Sequence, residues 1–366
     1  MHPISSEVLE CAETPALILA IDGVKSNLEK TLAIAEEPSR LWPHIKTHKT
    51  AELITMIMDS GVRSFKCATI AEAELLARTG AEEVLIAYPL IGPHIARLRR
   101  LVEKYQKTRF HTLVDSKVAF LQLKTVFSSL QIGVFLDLDV GMHRTGITPG
   151  VEAVELYGAV AGSDTLSASG FHVYDGHNRQ NSADDRRGAC AGCYNQVLEF
   201  KRTVENRGFL VPHMIFGGTP TFPCYAGLPE AALSPGTAFL YDWGYKTMFP
   251  DLPFEPAAWV LGRVISSTAD NLFTLDVGSK AIATDPAGDR GLIVDMPEAR
   301  PVSQSEEHWV FEAPDAHDFS PGEAVLITPT HICPTVNLYH EAVVVDSAGN
   351  QIDTWEIVAR ERKLSL

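Results

Sequence analysis

Between residues 23 and 245 short apolar runs alternate with amphipathic stretches, and this alternation restricts the fold more than any other feature of the chain. LWPHIKT, RSFKCAT, EVLIAYP, RFHTLVDS, GVFLDLDV, ASGFHVY, HMIFGGT and TAFLYD read as strands. AELITMIMDSG, IAEAELLARTG, PHIARLRRLVEKYQ and KVAFLQLKTVFSSL repeat apolar residues at three- and four-residue spacing, the period of one helix face. Alternating β and α units predict a parallel sheet with helical crossovers, and eight strands over about 220 residues match a (β/α)8 TIM barrel. A doubly wound open sheet is the alternative, but the G-x-G-x-x-G of a dinucleotide-binding first turn is absent.

After residue 245 the texture changes. AWVLGRVISS, LFTLDVGSKAIA, GLIVDM, EHWVFEA, EAVLITPTHI and HEAVVVDSAGNQIDTWEIVAR alternate, with Gly, Pro and Asp turns between them. This predicts an antiparallel β-domain. The opening run TPALILAID reads as a strand that joins it, which brings the two termini together. The expected division is a barrel over 18–245 and a β-domain of 1–17 plus 246–366.

Composition narrows the function. Net charge is −15 over 366 residues, with 21% charged and 45% apolar residues. A surface this acidic repels phosphate backbones, so nucleic acid is not an expected partner. MHPISSEVLECAETP has neither a basic nor an apolar leader region, and no apolar run reaches the length of a membrane span. Six cysteines at 11, 67, 190, 193, 224 and 333 do not form a secreted disulfide pattern, so a reduced cytoplasmic setting is expected. Cys190 and Cys193 form a C-x-x-C inside a helical pattern with no second pair nearby, which reads as coincidence.

A barrel of this type builds its active site at the C-terminal strand ends. Those ends carry His44, Lys46, His48 and Lys49; Lys66, Cys67 and Thr69; Tyr88; Asp115; Asp137, Asp139, His143 and Arg144; Tyr174, Asp175 and His177; and Tyr241 and Asp242. GGTPT, residues 217–221, is a glycine turn that reads locally as a plain turn or as one whose backbone approaches a phosphate, and SPGTAF, 234–239, can close over the same phosphate. Lys46, inside an apolar strand, either lowers its pKa and becomes a nucleophilic amine or snorkels to water. A phosphate turn with a reactive lysine suggests pyridoxal phosphate, whose aldehyde condenses with lysine. On an extended segment His331 and Cys333 point to one side, and both are good ligands for zinc or another borderline divalent metal. Taken locally, such a pair is also commonly incidental.

TPALILAID, PHIKTHKT, KCATIAEAELL, AYP, DLDVGMHRTGI, YDGH, GGTPTF, SPGTAFLYD and THICPTV occur in this order. Together they resemble the D-threonine aldolase and D-serine dehydratase group of fold-type III pyridoxal-phosphate enzymes, related to alanine racemase. The resemblance spans nearly the whole chain. It implies that Lys46 is the Schiff-base lysine, with His44 beside it, and that Arg144 faces the cofactor ring nitrogen and keeps it unprotonated. It further implies that Tyr174 and Tyr241 belong to the cofactor pocket. Gly217, Gly218 and Thr219 would bind the phosphate, with Gly236 and Thr237 continuing that turn. His331 and Cys333 would hold a divalent metal (zinc or manganese, or magnesium), and His177, His143 and Lys46 are the candidate bases. His308 could support the metal, though an ordinary polar strand residue explains it equally.

A homodimer acting on a D-3-hydroxy amino acid is implied. Cys333 leans toward a dehydratase, whereas PTV, DVGMHRTG and YDGH lean toward an aldolase. The expectation is an aldolase that yields glycine and an aldehyde, with D-serine dehydratase as the alternative. A racemase or a non-catalytic pyridoxal-phosphate-binding protein ranks below both.

Overall fold

The computed structural model describes residues 4–269, 271–313 and 319–366. It divides into two compact units, Met1–Lys30 with Thr237–Arg360, and Thr31–Gly236 with Glu361–Leu366. The divisions fall within the long helix Ile21–Ala35, at the Gly236–Thr237 bond and after Arg360.

Strand β1 (Ala16–Ala20) belongs to the first unit. The second unit is a parallel sheet in the order β2 (Ser64–Cys67), β3 (Glu83–Pro89), β4 (Arg109–Val114), β5 (Ile132–Leu138), β6 (Leu166–Val173), β7 (His213–Phe216) and β8 (Ala231–Leu233). Helices cross between the strands, and their starts are legible. Thr69 accepts from the Glu72 N–H ahead of Ile70–Thr79, and Ser116 from the Ala119 N–H ahead of Lys117–Val126.

The sheet closes through residues 41–45. Leu41 is bridged to Leu233 on β8 and His44 to Lys66 on β2. The Trp42 N–H donates to the Leu233 carbonyl at 2.8 Å and the His44 N–H to Pro235 at 2.7 Å. On the other side the Lys66 N–H donates to Pro43 at 2.8 Å and the Ile45 N–H to Lys66 at 3.0 Å. LWPHIKT is therefore a stave of the barrel but not a continuous strand, because Pro43 has no N–H for the ladder. TAFLYD is not a strand either: Thr237–Phe239 is a single 3-10 turn. Its place is taken by β8, a three-residue run too short to stand out by period. Trp42, Leu85, Leu113, Phe135 and Ile215 pack together as an interior cluster, so the barrel is filled rather than open.

The first unit is a mostly antiparallel sheet. Strand β9 (Ala258–Ala269) pairs with β1, with β10 (Leu272–Leu275) and with β14 (Ala324–Pro329), which also pairs with β11 (Gly291–Ile293). Strands β12 (Arg300–Gln304) and β13 (Trp309–Glu312) extend one edge, and β15 (Glu341–Val345) and β16 (Gln351–Glu356) the other. The β1–β15 pair is the parallel one. Phe273, Trp309, Phe311 and Phe319 anchor its core. Strand β12 escaped the sequence reading because RPVSQ has a single apolar alternation and a proline. Among the described residues no helix is long and apolar enough to cross a membrane.

Candidate active site

The closing segment delivers Lys46 to the C-terminal mouth of the barrel. Lys46 is exposed, so the cost of burying a lysine does not fall on it. That cost falls on Lys66, which is 3% exposed and pushed down to about 7 by burial and by the Lys46 charge, with Asp137 and Asp175 pulling the other way. His44 is held well below the usual imidazole range by burial and then by Lys46 and Lys66. His48 is buried against Thr50, and burial lowers it to about 3. Lys49 is paired with Glu72 in the interior. The basic cluster therefore contributes one exposed amine, with its other charges neutralised or paired.

Strands β5 and β6 carry a polar pair in register. His172 Nδ1 lies 2.7 Å from Asp137 Oδ1, and Thr145 donates to Asp137 Oδ2 at 2.9 Å. Beyond these strand ends the Arg144 guanidinium lies 4.8 Å from the centre of the Tyr174 ring. His143 is exposed, in a left-handed backbone conformation, with Nδ1 2.8 Å from Asp139 Oδ2. His177 is exposed and lies over Gly141, where an added Cβ would stand 2.8 Å from its Nε2.

The glycine turn is tightly specified. The N–H groups of Gly217, Gly218 and Gly236 donate to the Val173 carbonyl, Thr221 Oγ1 and Thr219 Oγ1 at 3.2, 3.1 and 3.1 Å. The glycines thus spend these donors on β6 and on the two threonines, and what they offer a ligand is a backbone without side chains. An added Cβ on Gly236 would lie 3.2 Å from His44 Cβ, and one on Gly218 3.4 Å from the Tyr174 ring. Thr221 is held in turn by Asp175 at 2.8 Å.

In the other unit, His331 caps a short helix, Ile332–Val336, so the pair sits at a helix start rather than on an extended strand. His331 Nδ1 lies 2.6 Å from Asp285 Oδ2. Burial lowers the imidazole, but hydrogen bonding and charge from Cys333 and Asp285 outweigh it and raise it to about 9. Thr237 Oγ1 is 3.3 Å from Cys333 Sγ, and Asp242 accepts from the Ile332 N–H at 3.2 Å. Tyr241 is fully buried against Tyr245 and Phe254. His308 is exposed at a turn. Among the described residues no cluster of three or more His, Cys, Asp or Glu side chains fits a metal ion. The donor set there is the His331–Cys333 pair, with Asp285 on the second ring nitrogen. Sequence reasoning missed Asp285, which lies in the turn ATDPAG with no motif of its own, and named Lys66 without giving it a role.

Comparison with known proteins places these features. A model described as "Alanine racemase, N-terminal domain" matches residues 19–240, and one described as "Putative serine dehydratase domain" matches 257–345, the stretch that contains Asp285, His331 and Cys333. The chain is 26% identical over 361 residues to a D-threonine aldolase of Arthrobacter sp, covering 95% of this chain and 93% of that one. It is also 26% identical to a 3-hydroxy-D-aspartate aldolase of Paracoccus denitrificans, covering 95% of this chain and 92% of that one. The solved structure of D-threonine aldolase from Filomicrobium marinum superposes with a TM-score of 0.88 at 28% identity, covering 95% of this chain and 96% of that one. The chain belongs to the alanine racemase N-terminal domain family, in the two-domain arrangement of the fold-type III pyridoxal-phosphate enzymes.

Proposed function

We propose that the protein is a pyridoxal-phosphate- and divalent-metal-dependent lyase that cleaves D-3-hydroxy amino acids of the D-threonine type to glycine and an aldehyde. The observation that carries it is Lys46, the exposed amine of an otherwise buried or paired basic cluster, on a stave that also borders the glycine turn. The residues fit both groups. At 217, 218 and 236 the turn carries no side chain that would stand between its backbone and a phosphate. At the metal pair, a carboxylate on His331 Nδ1 leaves Nε2 for an ion, the usual way a ligating histidine is oriented.

When bound, pyridoxal phosphate supplies an aldehyde for an amine and an electron-accepting ring, and the metal supplies a Lewis acid for a hydroxyl oxygen. Lys46 offers the amine that anchors the cofactor. Arg144, a permanent cation stacked on the Tyr174 ring, would face the ring nitrogen and keep it unprotonated. His331 and Cys333 would hold the metal. Cleavage removes the hydroxyl proton, breaks the Cα–Cβ bond, releases the aldehyde and returns a proton to Cα. His177, His143 and Lys46 are the groups for these transfers; His143 has Nδ1 committed to Asp139, which leaves Nε2 to work.

Cys333 and the dehydratase-type match over 257–345 favour one second reading, D-serine dehydratase chemistry giving a keto acid and ammonia. A homodimer accompanies the proposal on the family resemblance, and a cytoplasmic setting on the scattered cysteines. Borohydride reduction of the protein loaded with pyridoxal phosphate should fix the label on Lys46, located by peptide mapping. Lys46→Ala should take no label, and label elsewhere in the wild type would refute the assignment.

A further inference from the structure

The Lys66 side chain is buried in the barrel, and among the described residues its amine makes no hydrogen bond or ion pair, in contrast to that of Lys49 on its Glu72. It pairs in register with Leu85, a member of the interior cluster, so its side chain shares that inward face. The charged and titratable groups around it are Lys46 and His44 on the closing segment, Asp137 on β5, His172 on β6, and Arg144 and Asp175 beyond those strands. Neither carboxylate is free to pair with it. Asp137 is committed to His172 and Thr145, and Asp175 to Thr221, Tyr225 and Asn178.

Topology supplies an anion. Residues 41–45 lie between β8 and β2. On the β8 side stand Gly236 and the turn 217–219 hydrogen-bonded to it; on the β2 side stands Lys66. Pyridoxal phosphate attached to Lys46 is joined through the ring carbon opposite the nitrogen. Its phosphate arm and its phenolic oxygen leave the two carbons that flank that one. With the arm in the glycine turn, the phenolic oxygen would face β2.

Resting on the cofactor reading above, we propose that Lys66 is a cofactor-binding residue that donates a hydrogen bond to the phenolic oxygen of pyridoxal phosphate and stabilises it as a phenolate. Burial, with the Lys46 charge beside it, leaves the free amine readily deprotonated, and the arriving phenolate favours its ammonium form. A cation there also favours release of the proton that the bound cofactor shares between its phenolic oxygen and the Lys46 nitrogen.

The test is a pH titration of the yellow absorption band of the protein reconstituted with pyridoxal phosphate. Lys66→Met should move the midpoint upward by at least about one pH unit, the usual reach of a neighbouring charge. Lys66→Arg, which keeps the charge, should stay within about half a unit of wild type. Lys66→Gln serves as the second variant should Lys66→Met fail to fold by circular dichroism. An unmoved midpoint in a folded, cofactor-bearing Lys66→Met or Lys66→Gln protein overturns the inference and leaves the Lys46 assignment standing, as does an Arg variant shifted as far as Met. A wild type with no yellow band that Lys46→Ala removes overturns both.

Discussion

Asp175 has no exposed surface, and four donors converge on it: Tyr225 at 2.6 Å, Thr221 at 2.8 Å, Asn178 at 3.3 Å and the Cys190 thiol at 3.6 Å. Through Thr221 it holds the Gly218 N–H, so one buried carboxylate sets the shape of the glycine turn. Asp175→Ala leaves several buried donors unsatisfied and should cost about 3 kcal/mol in urea unfolding, with at least a tenfold loss of pyridoxal-phosphate affinity. Unchanged affinity in a folded variant would show that the turn keeps its shape without the carboxylate. The same network explains the C-x-x-C. Hydrogen bonding to Cys224 and burial push the Cys190 thiol up, and burial pushes Cys193 to about 12. Both are inert thiols on the buried face of the helix Ala183–Glu205, not a redox motif.

Among the elements, β6 carries the most demanding backbone position. Gly170 has φ +121°, and an added Cβ would fall 1.9 Å from the His213 carbonyl oxygen on β7. Gly170→Ala should destabilise the protein by at least about 3 kcal/mol. Gly188, mid-helix with open space around it, should instead stabilise by about 0.5–1 kcal/mol when changed to alanine. Thermal melts of the two variants should move in opposite directions; a matching shift would contradict the backbone argument. Elements with a strong period were legible in the sequence: IAEAELLARTG and KVAFLQLKTVFSSL repeat apolar residues at helical spacing, and the strand bodies from RSFKCAT to HMIFGGT stand out as apolar runs. The closing segment was legible as a stave but not as an interrupted one, because Pro43 acts through a missing donor rather than through polarity. TAFLYD misled because an apolar aromatic run suits a buried turn as well as a strand. Lys46 and the glycine turn could be located from the strand ends. Asp285 could not, since its partnership with His331 spans 46 residues with no repeating pattern.

Across the barrel unit, the C-terminal residues are tied back by Glu74. This fully buried carboxylate accepts from the Ser365 N–H at 3.2 Å, from Tyr105 at 3.1 Å and from Arg78 at 3.0 Å. Burial pushes its carboxyl up, but the bonds from Ser365, Tyr105 and Arg78 outweigh it and hold it at about 2. A folded pKa below the unfolded value of 4.5 means that the contribution is complete above about pH 4.5 and is lost as pH falls toward 2. Allowing for the partly exposed Arg78 and Lys104, it amounts to about 2 kcal/mol. Glu74→Gln, or removal of residues 361–366, should lower stability by that amount at neutral pH and flatten its fall in acid. A variant with the wild-type acid profile would contradict this. The chemistry itself is decided by product analysis. Purified protein incubated with pyridoxal phosphate, zinc or manganese, and D-threonine should release glycine and acetaldehyde. Release of 2-oxobutyrate and ammonia in their place would contradict the aldolase assignment and establish the dehydratase.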